Sequence, residues 1–194
     1  MSREPKAFST VVATHVSMCD ECRARLGAHE TLGGALLDDT PVQDVSSDMK
    51  ARLFDALDTP AATERVYERS GIFPAPVMEA LGGLPPKWKP LGLGVRQMIL
   101  NHDRSGSVRL LYIPGGMAVP DHGHNGLELT LVLQGAFSDE TGRFGVGDLE
   151  VADGDLEHEP VAEDGPACIC LAATDAPLKF TGLIPRVAQR FIGI

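Results

Sequence analysis

Between Gly116 and Gly135 the chain reads GMAVPDHGHNGLELTLVLQG, which sets His122, His124 and Glu128 in the pattern G-x5-H-x-H-x3-E-x6-G. Two residues apart on an extended strand, His122 and His124 send their imidazoles to one face. The Asn125-Gly126 pair is a turn signal, after which Glu128 can return to that face. Two neutral nitrogens and one carboxylate meeting at a point suit a first-row divalent metal: Zn²⁺, Mn²⁺, Fe²⁺ or Ni²⁺. His158 is a fourth candidate ligand, in GDLEVADGDLEH, where Gly147 and the Asp153-Gly154 turn flank a short strand. The competing reading is a set of hydrogen-bonded, metal-free histidines.

A second constellation lies near the start. His15, Cys19 and Cys22 form H-x3-C-x2-C. On a helix these are positions i, i+4 and i+7, all on one side. Two thiolates and an imidazole at this spacing can fill three corners of a tetrahedral Zn²⁺ site. A C-x2-C pair alone is a weak signal, shared with redox dithiols; the histidine one turn earlier sharpens it. The alternative is a pair of thiols packed in a core.

The first pattern and its partner around His158 resemble the two metal-holding motifs of the cupin family. That resemblance implies a small antiparallel β-barrel with a metal held by His122, His124, Glu128 and His158. In the second motif Asp153 and Asp155 stand where the family usually has Pro and Gly, and no Asn closes it. The early motif resembles the zinc-binding anti-sigma domain, a helical module that inhibits alternative sigma factors. Taken together, VVATHVSMCDECRARLG and VPDHGHNGLELTLVLQGAFSDET make the chain resemble ChrR-type zinc-binding anti-sigma factors over nearly its full length. The resemblance implies an extracytoplasmic-function sigma factor as partner, its polymerase-binding surfaces occluded by helical residues. Release would follow oxidative stress, notably singlet oxygen, and would require the cupin domain. The family carries one more zinc-ligating histidine upstream on a preceding helix. Only 14 residues precede His15 here, without that histidine. Either three protein ligands and a water hold the zinc, or the start is placed too far downstream. His29, two helical turns beyond Cys22, is poorly placed to substitute.

The formal net charge is -10, from 17 Lys and Arg against 27 Asp and Glu. Direct binding to a nucleic-acid backbone is not expected, because phosphate neutralisation needs clustered basic residues. The stretch 148–164 is acidic without a single Lys or Arg. Such a surface favours basic partners, a protein that itself binds nucleic acid among them. No run of about 18 apolar residues is present, so no membrane span is expected. The start lacks the features of a secretory signal, which makes the cytoplasm the expected compartment and free thiols the expected state of the four cysteines.

Positioning these ligands requires two kinds of element. From 8 to 70 the texture is helical. Phe8, Val11, Val12, His15, Cys19, Cys22 and Leu26 recur at steps of three and four, one face of a helix or of two nearly continuous ones. A second helix follows Ser46 or Ser47, with Met49, Leu53, Phe54 and Leu57 on its apolar side. A third helical piece is expected over 62–69. The stretch 70–92 holds five prolines and reads as a linker, with one helical turn at 77–81 and Trp88 packing against the second domain. Strands are expected at 94–100, 107–113, 128–133, 147–151 and 167–172. The fold class is therefore α+β in two domains: a truncated helical, anti-sigma-like domain (1–70) and an all-β cupin barrel (92–194), joined by 71–91.

Cys168 and Cys170, two apart in ACICLA, share a face of a buried strand. They read as packing residues, or as an oxidant-sensing pair beside the barrel metal. No Ser-His-Asp pattern, phosphate loop or dinucleotide fingerprint stands out. The leading function is regulatory, a zinc-dependent anti-sigma factor rather than an enzyme, with a small molecule or oxidant as ligand in the barrel. The alternative is a metal-dependent cupin enzyme of dioxygenase type, for which the acidic turn at Asp153 and Asp155 is the only evident acid set.

Overall fold

Period-two alternation of apolar residues builds the larger part of the molecule. The computed structural model describes residues 6–57, 65–104, 106–119, 122–123, 125–154, 156–176 and 179–180. The helices are α1 (Lys6–Met18), α2 (Asp20–Asp38), α3 (Met49–Leu57) and α4 (Ala75–Ala80). The first strands are β1 (Lys89–Gly92), β2 (Val95–Asp103), β3 (Gly106–Ile113), β4 (His122–Gly123), β5 (Glu128–Gln134) and β6 (Ala136–Ser138). They are followed by β7 (Arg143–Gly145), β8 (Leu149–Ala152), β9 (Glu157–His158), β10 (Val161–Ala162), β11 (Cys168–Thr174) and β12 (Lys179–Phe180). All five strands expected from the sequence form, within a few residues of the expected limits.

Three antiparallel sheets result: β1-β2-β3-β11-β5-β8, β10-β6-β7 and β12-β4-β9. Among the described residues the six-stranded sheet stays open at its edges, and the β-rich half has the expected cupin fold. Gly135 makes the passage from β5 to β6. Its φ is +70, and a Cβ there would sit 2.9 Å from the Ala167 carbonyl, so only glycine passes between the strands without strain.

The residues group into two compact units, Met1–Asp20 with Tyr67–Ile194, and Glu21–Val66. This grouping cuts across a boundary at residue 70. The first helix belongs with the sheet, and the proline-rich stretch is no bare linker. It supplies α4, whose Val77 and Met78 are buried together with Leu81 just beyond it. Phe8 and Val11 of α1 join them over Val108, Leu110, Leu129, Leu131, Leu133, Ile169 and Leu171 in one cluster. Fully burying side chains of this size is worth roughly 1.5–3 kcal/mol each. Trp88 packs against the same cluster and meets Tyr112 edge to face at 5.9 Å. A second cluster on the opposite side of the sheet contains Ile113, Val132, Phe137, Ala162, Cys168 and Cys170.

The unit Glu21–Val66 has a different character. Neither α2 nor α3 buries a single residue. The helices form where periodicity places them, and surface pairs such as Arg25–Glu21 and Arg52–Asp48 brace them at i,i+4 spacing. Of the helical piece expected over 62–69, residues 65–69 take no regular structure and 62–64 lie outside the described residues. No helix among the described residues is long and apolar enough to cross a membrane.

If α1 is part of the sheet's core, Phe8→Ala should cost the full chain about 3–5 kcal/mol, read from the urea midpoint, whereas a cost under about 1 kcal/mol would separate α1 from that core.

Candidate metal centres

The chain breaks helix at Cys19, between α1 and α2, while the Cys19 N–H still donates to the His15 carbonyl at 2.8 Å. This keeps the i, i+4 relation that the spacing predicts. His15, Cys19 and Cys22 each offer one ligand atom, and these atoms lie within 4.8 Å of one another. All three side chains are half-buried. His15 Nδ1 lies 3.0 Å from the Gly147 carbonyl oxygen. A carbonyl only accepts, so Nδ1 carries the proton and Nε2 is left as the donor toward a metal. Gly147 has φ +92, a conformation that suits glycine, and its carbonyl orients this ring from the turn before β8. The donor set and its oriented imidazole fit a tetrahedral divalent metal.

The second constellation is built on the sheet half. Antiparallel pairing of β4 with β9 sets His122 opposite His158. Of His122 only the backbone is described, and His124 lies outside the described residues, as does Asp155. Glu128 opens β5, beside Ala152 of β8 and Thr174 of β11. Its Oε1 accepts from Thr130 Oγ1 at 3.1 Å. The same face carries buried Arg109, which donates to Ser107 Oγ at 2.7 Å and to Gln97 Oε1 at 3.3 Å. Burial lowers the Arg109 guanidinium from its ordinary range, and the charge of Glu128 partly offsets this.

His158 is 3% exposed, and its Nδ1 meets Asp139 Oδ2 at 2.6 Å. Glu150 Oε1 lies 3.3 Å from the same nitrogen. Burial alone would lower the His158 imidazole, but hydrogen bonds with Glu150 and Asp139, and their charge, raise it to about 9. Burial likewise works against Asp139, yet hydrogen bonds from Glu150, Thr141 and His158 hold it well below the carboxylate range. Glu150 moves the other way, pushed up chiefly by burial. Asp139, Glu150 and His158 form the second set of potential ligand atoms within 4.8 Å.

Sequence reasoning missed Asp139 and Glu150 and looked to Asp153, which is exposed. Signals for both were present. Asp139 begins D-E-T-G, and its Oδ1 accepts from the Thr141 N–H, the Thr141 hydroxyl and the Gly142 N–H, an Asx-turn. Glu150 sits in LEVA with polarity inverted: the glutamate is buried and its neighbour Val151 is 59% exposed.

Cys168 and Cys170 are buried with their sulfurs 3.5 Å apart. The Cys170 thiol is pushed well up by its hydrogen bond with Cys168 and by burial, while the same hydrogen bond lowers Cys168.

The family model described as ChrR Cupin-like domain matches residues 85–176. The anti-sigma-E factor ChrR of Cereibacter sphaeroides is 53% identical over 195 residues, 97% of this chain and 90% of that protein. A solved structure of Rhodobacter sphaeroides SigE in complex with the anti-sigma ChrR superposes at a TM-score of 0.76 with 54% identity, over 88% of this chain and 90% of that one. The chain belongs to the ChrR family of anti-sigma factors.

Proposed function

We propose that this chain is a cytoplasmic, zinc-dependent anti-sigma factor. It binds an extracytoplasmic-function sigma factor, holds it inactive, and releases it under oxidative stress such as singlet oxygen. A metal in the cupin-like domain is needed for that response. The observation that carries the reading is the bare apolar surface of α2 and α3. Leu32, Leu36 and Leu37 are 59%, 64% and 72% exposed, and Leu53, Phe54 and Leu57 are 61%, 57% and 70% exposed. Helices that bury nothing and show this much leucine have a surface suited to a partner. The close relative is named for inhibiting sigma-E, and its solved counterpart sits in complex with SigE. A net charge of -10 fits a partner with basic, nucleic-acid-binding surfaces better than it fits nucleic acid itself.

His15, Cys19 and Cys22 would hold the zinc, and bound there it supplies a structural crosslink through thiolates that an oxidant can reach. His122, His124, Glu128 and His158 would hold the second metal. Support comes from the register that opposes His122 to His158 and from the buried carboxylates behind the His158 ring. Within this reading the functional division follows the sequence: helical inhibitor over 1–70, connection over 71–91, cupin-like sensor over 92–194.

Leu36→Asp or Leu53→Asp is expected to weaken binding of the cognate sigma factor by about 30-fold or more, the loss of an interface hot spot worth about 2 kcal/mol. Helicity should stay unchanged, because both side chains already face solvent. Titration calorimetry that finds wild-type affinity in both variants removes this surface as the inhibitory face. Separately, Cys19→Ser or Cys22→Ser should lower the zinc content by about one equivalent, since a structural site holds a single ion. Unaltered zinc in both variants eliminates the helical site.

A further inference from the structure

His158 meets the Asp139 carboxylate through Nδ1, one of its two ring nitrogens. Nδ1 faces Asp139 Oδ2 at 2.6 Å in a pocket where both side chains are essentially sealed from solvent, at 3% and 0% exposure. Two donors that share one tetrahedral ion at bond lengths near 2.0 Å stand roughly 3.3 Å apart. A separation of 2.6 Å is that of a short, charge-assisted hydrogen bond, so a proton and not a cation lies between them. We infer that Asp139 is a positioning residue for the cupin metal: it holds the His158 Nδ1–H and thereby presents Nε2 as the ligand. The inference rests on the reading of His158 as a metal ligand.

Three further contacts support the assignment. Asp139 cannot turn away, because its other oxygen is clamped by the Thr141 N–H at 2.8 Å, the Thr141 hydroxyl at 2.7 Å and the Gly142 N–H at 3.1 Å. Glu150 is buried beside the same nitrogen, its Oε1 3.3 Å from Nδ1. It fills the space and adds negative potential at Nδ1, which disfavours any tautomer that leaves this nitrogen bare. The backbone of His158 is itself fixed by pairing with β4. A ring held at its backbone and at Nδ1 has its orientation set. Carboxylates placed behind ligand histidines in this way typically contribute 10–100-fold to metal affinity.

The test uses the full chain and Zn²⁺ alone. Nitrogen-15 NMR of the His158 ring reports the tautomer, and competition with a chelator reports affinity at the histidine-rich site. Wild-type protein should show a protonated Nδ1 and a Nε2 resonance that shifts on adding zinc. Asp139→Asn should weaken zinc at this site roughly 10–100-fold and mix the tautomers. Thr141→Val, which removes one clamp at an exposed position and leaves the buried carboxylate in place, should weaken it roughly two- to tenfold, the effect of one lost hydrogen bond. A merely structural role for Asp139 would lower the melting temperature of the metal-free chain without moving affinity or tautomer. Zinc affinity within twofold of wild type in both variants, with His158 still shifting on zinc, overturns the positioning role and leaves the ligand intact. A His158 ring that does not respond to zinc in the wild-type chain overturns the ligand reading and this inference with it.

Discussion

Successive side chains of a strand go to opposite faces, and this lets one sheet carry both a core and a polar chamber. On β5, Leu129, Leu131 and Leu133 join the cluster beneath α1 and α4, while Val132 belongs to the cluster on the opposite side and Glu128 binds Thr130. On β3, Val108 and Leu110 face the helices, whereas Ser107 and Arg109 bind each other. On β11, Ile169, Leu171 and Ala173 oppose Cys168 and Cys170. A slip of one residue in β3 or β5 would turn Arg109 or Glu128 toward α1 and a leucine toward the polar face. The register β3-β11-β5 is therefore the constraint on which the candidate site depends. Burial of α1 is its counterpart, because an apolar face this large must be covered.

Both proposed metal centres use histidine in the same manner. A protein acceptor takes Nδ1–H, the Gly147 carbonyl for His15 and the Asp139 carboxylate for His158. An unconstrained imidazole would divide its time between tautomers and rotamers, and a metal would have to bear the cost of selecting one. Fixing the ring beforehand moves that cost into folding. The two acceptors differ in kind. A neutral carbonyl fixes the orientation of the His15 ring. An ionised carboxylate in a buried pocket makes the His158 ring more basic and a stronger donor.

Much of this arrangement is legible in the sequence, because it rests on local rules. The five longer strands follow from alternation, the helices from three- and four-residue spacing, and His15, Cys19 and Cys22 from helical geometry. Docking of α1 on the sheet is not legible. The apolar face of Phe8 and Val11 announces that something covers it, but cannot say whether a helix or a sheet does. The stretch 71–91 passes for a linker on the same ground: prolines mark where regular structure stops, while burial of Val77, Met78 and Leu81 depends on what lies opposite. Asp139 and Glu150 escape notice because a carboxylate behind a ligand has no fixed spacing from it. Nineteen residues separate Asp139 from His158, and only the fold closes that interval.

The groups that orient the two histidines come from one short stretch, which runs from Asp139 through Gly147 to Glu150. That stretch is pinned to the centre of the sheet. The Gly147 N–H donates to the Val132 carbonyl at 2.9 Å, the Val132 N–H to the Asp148 carbonyl at 3.1 Å, and β8 then pairs with β5 from Leu149 to Ala152. An orienting group is useful only if it is stiffer than the ligand it orients. A surface turn left to itself would not meet that condition, and anchoring it to a buried strand does. The positive φ of Gly147 belongs to the same logic. It aims a carbonyl outward at His15 while the next three residues lead Glu150 inward to His158, so the strand that braces one ring also braces the other.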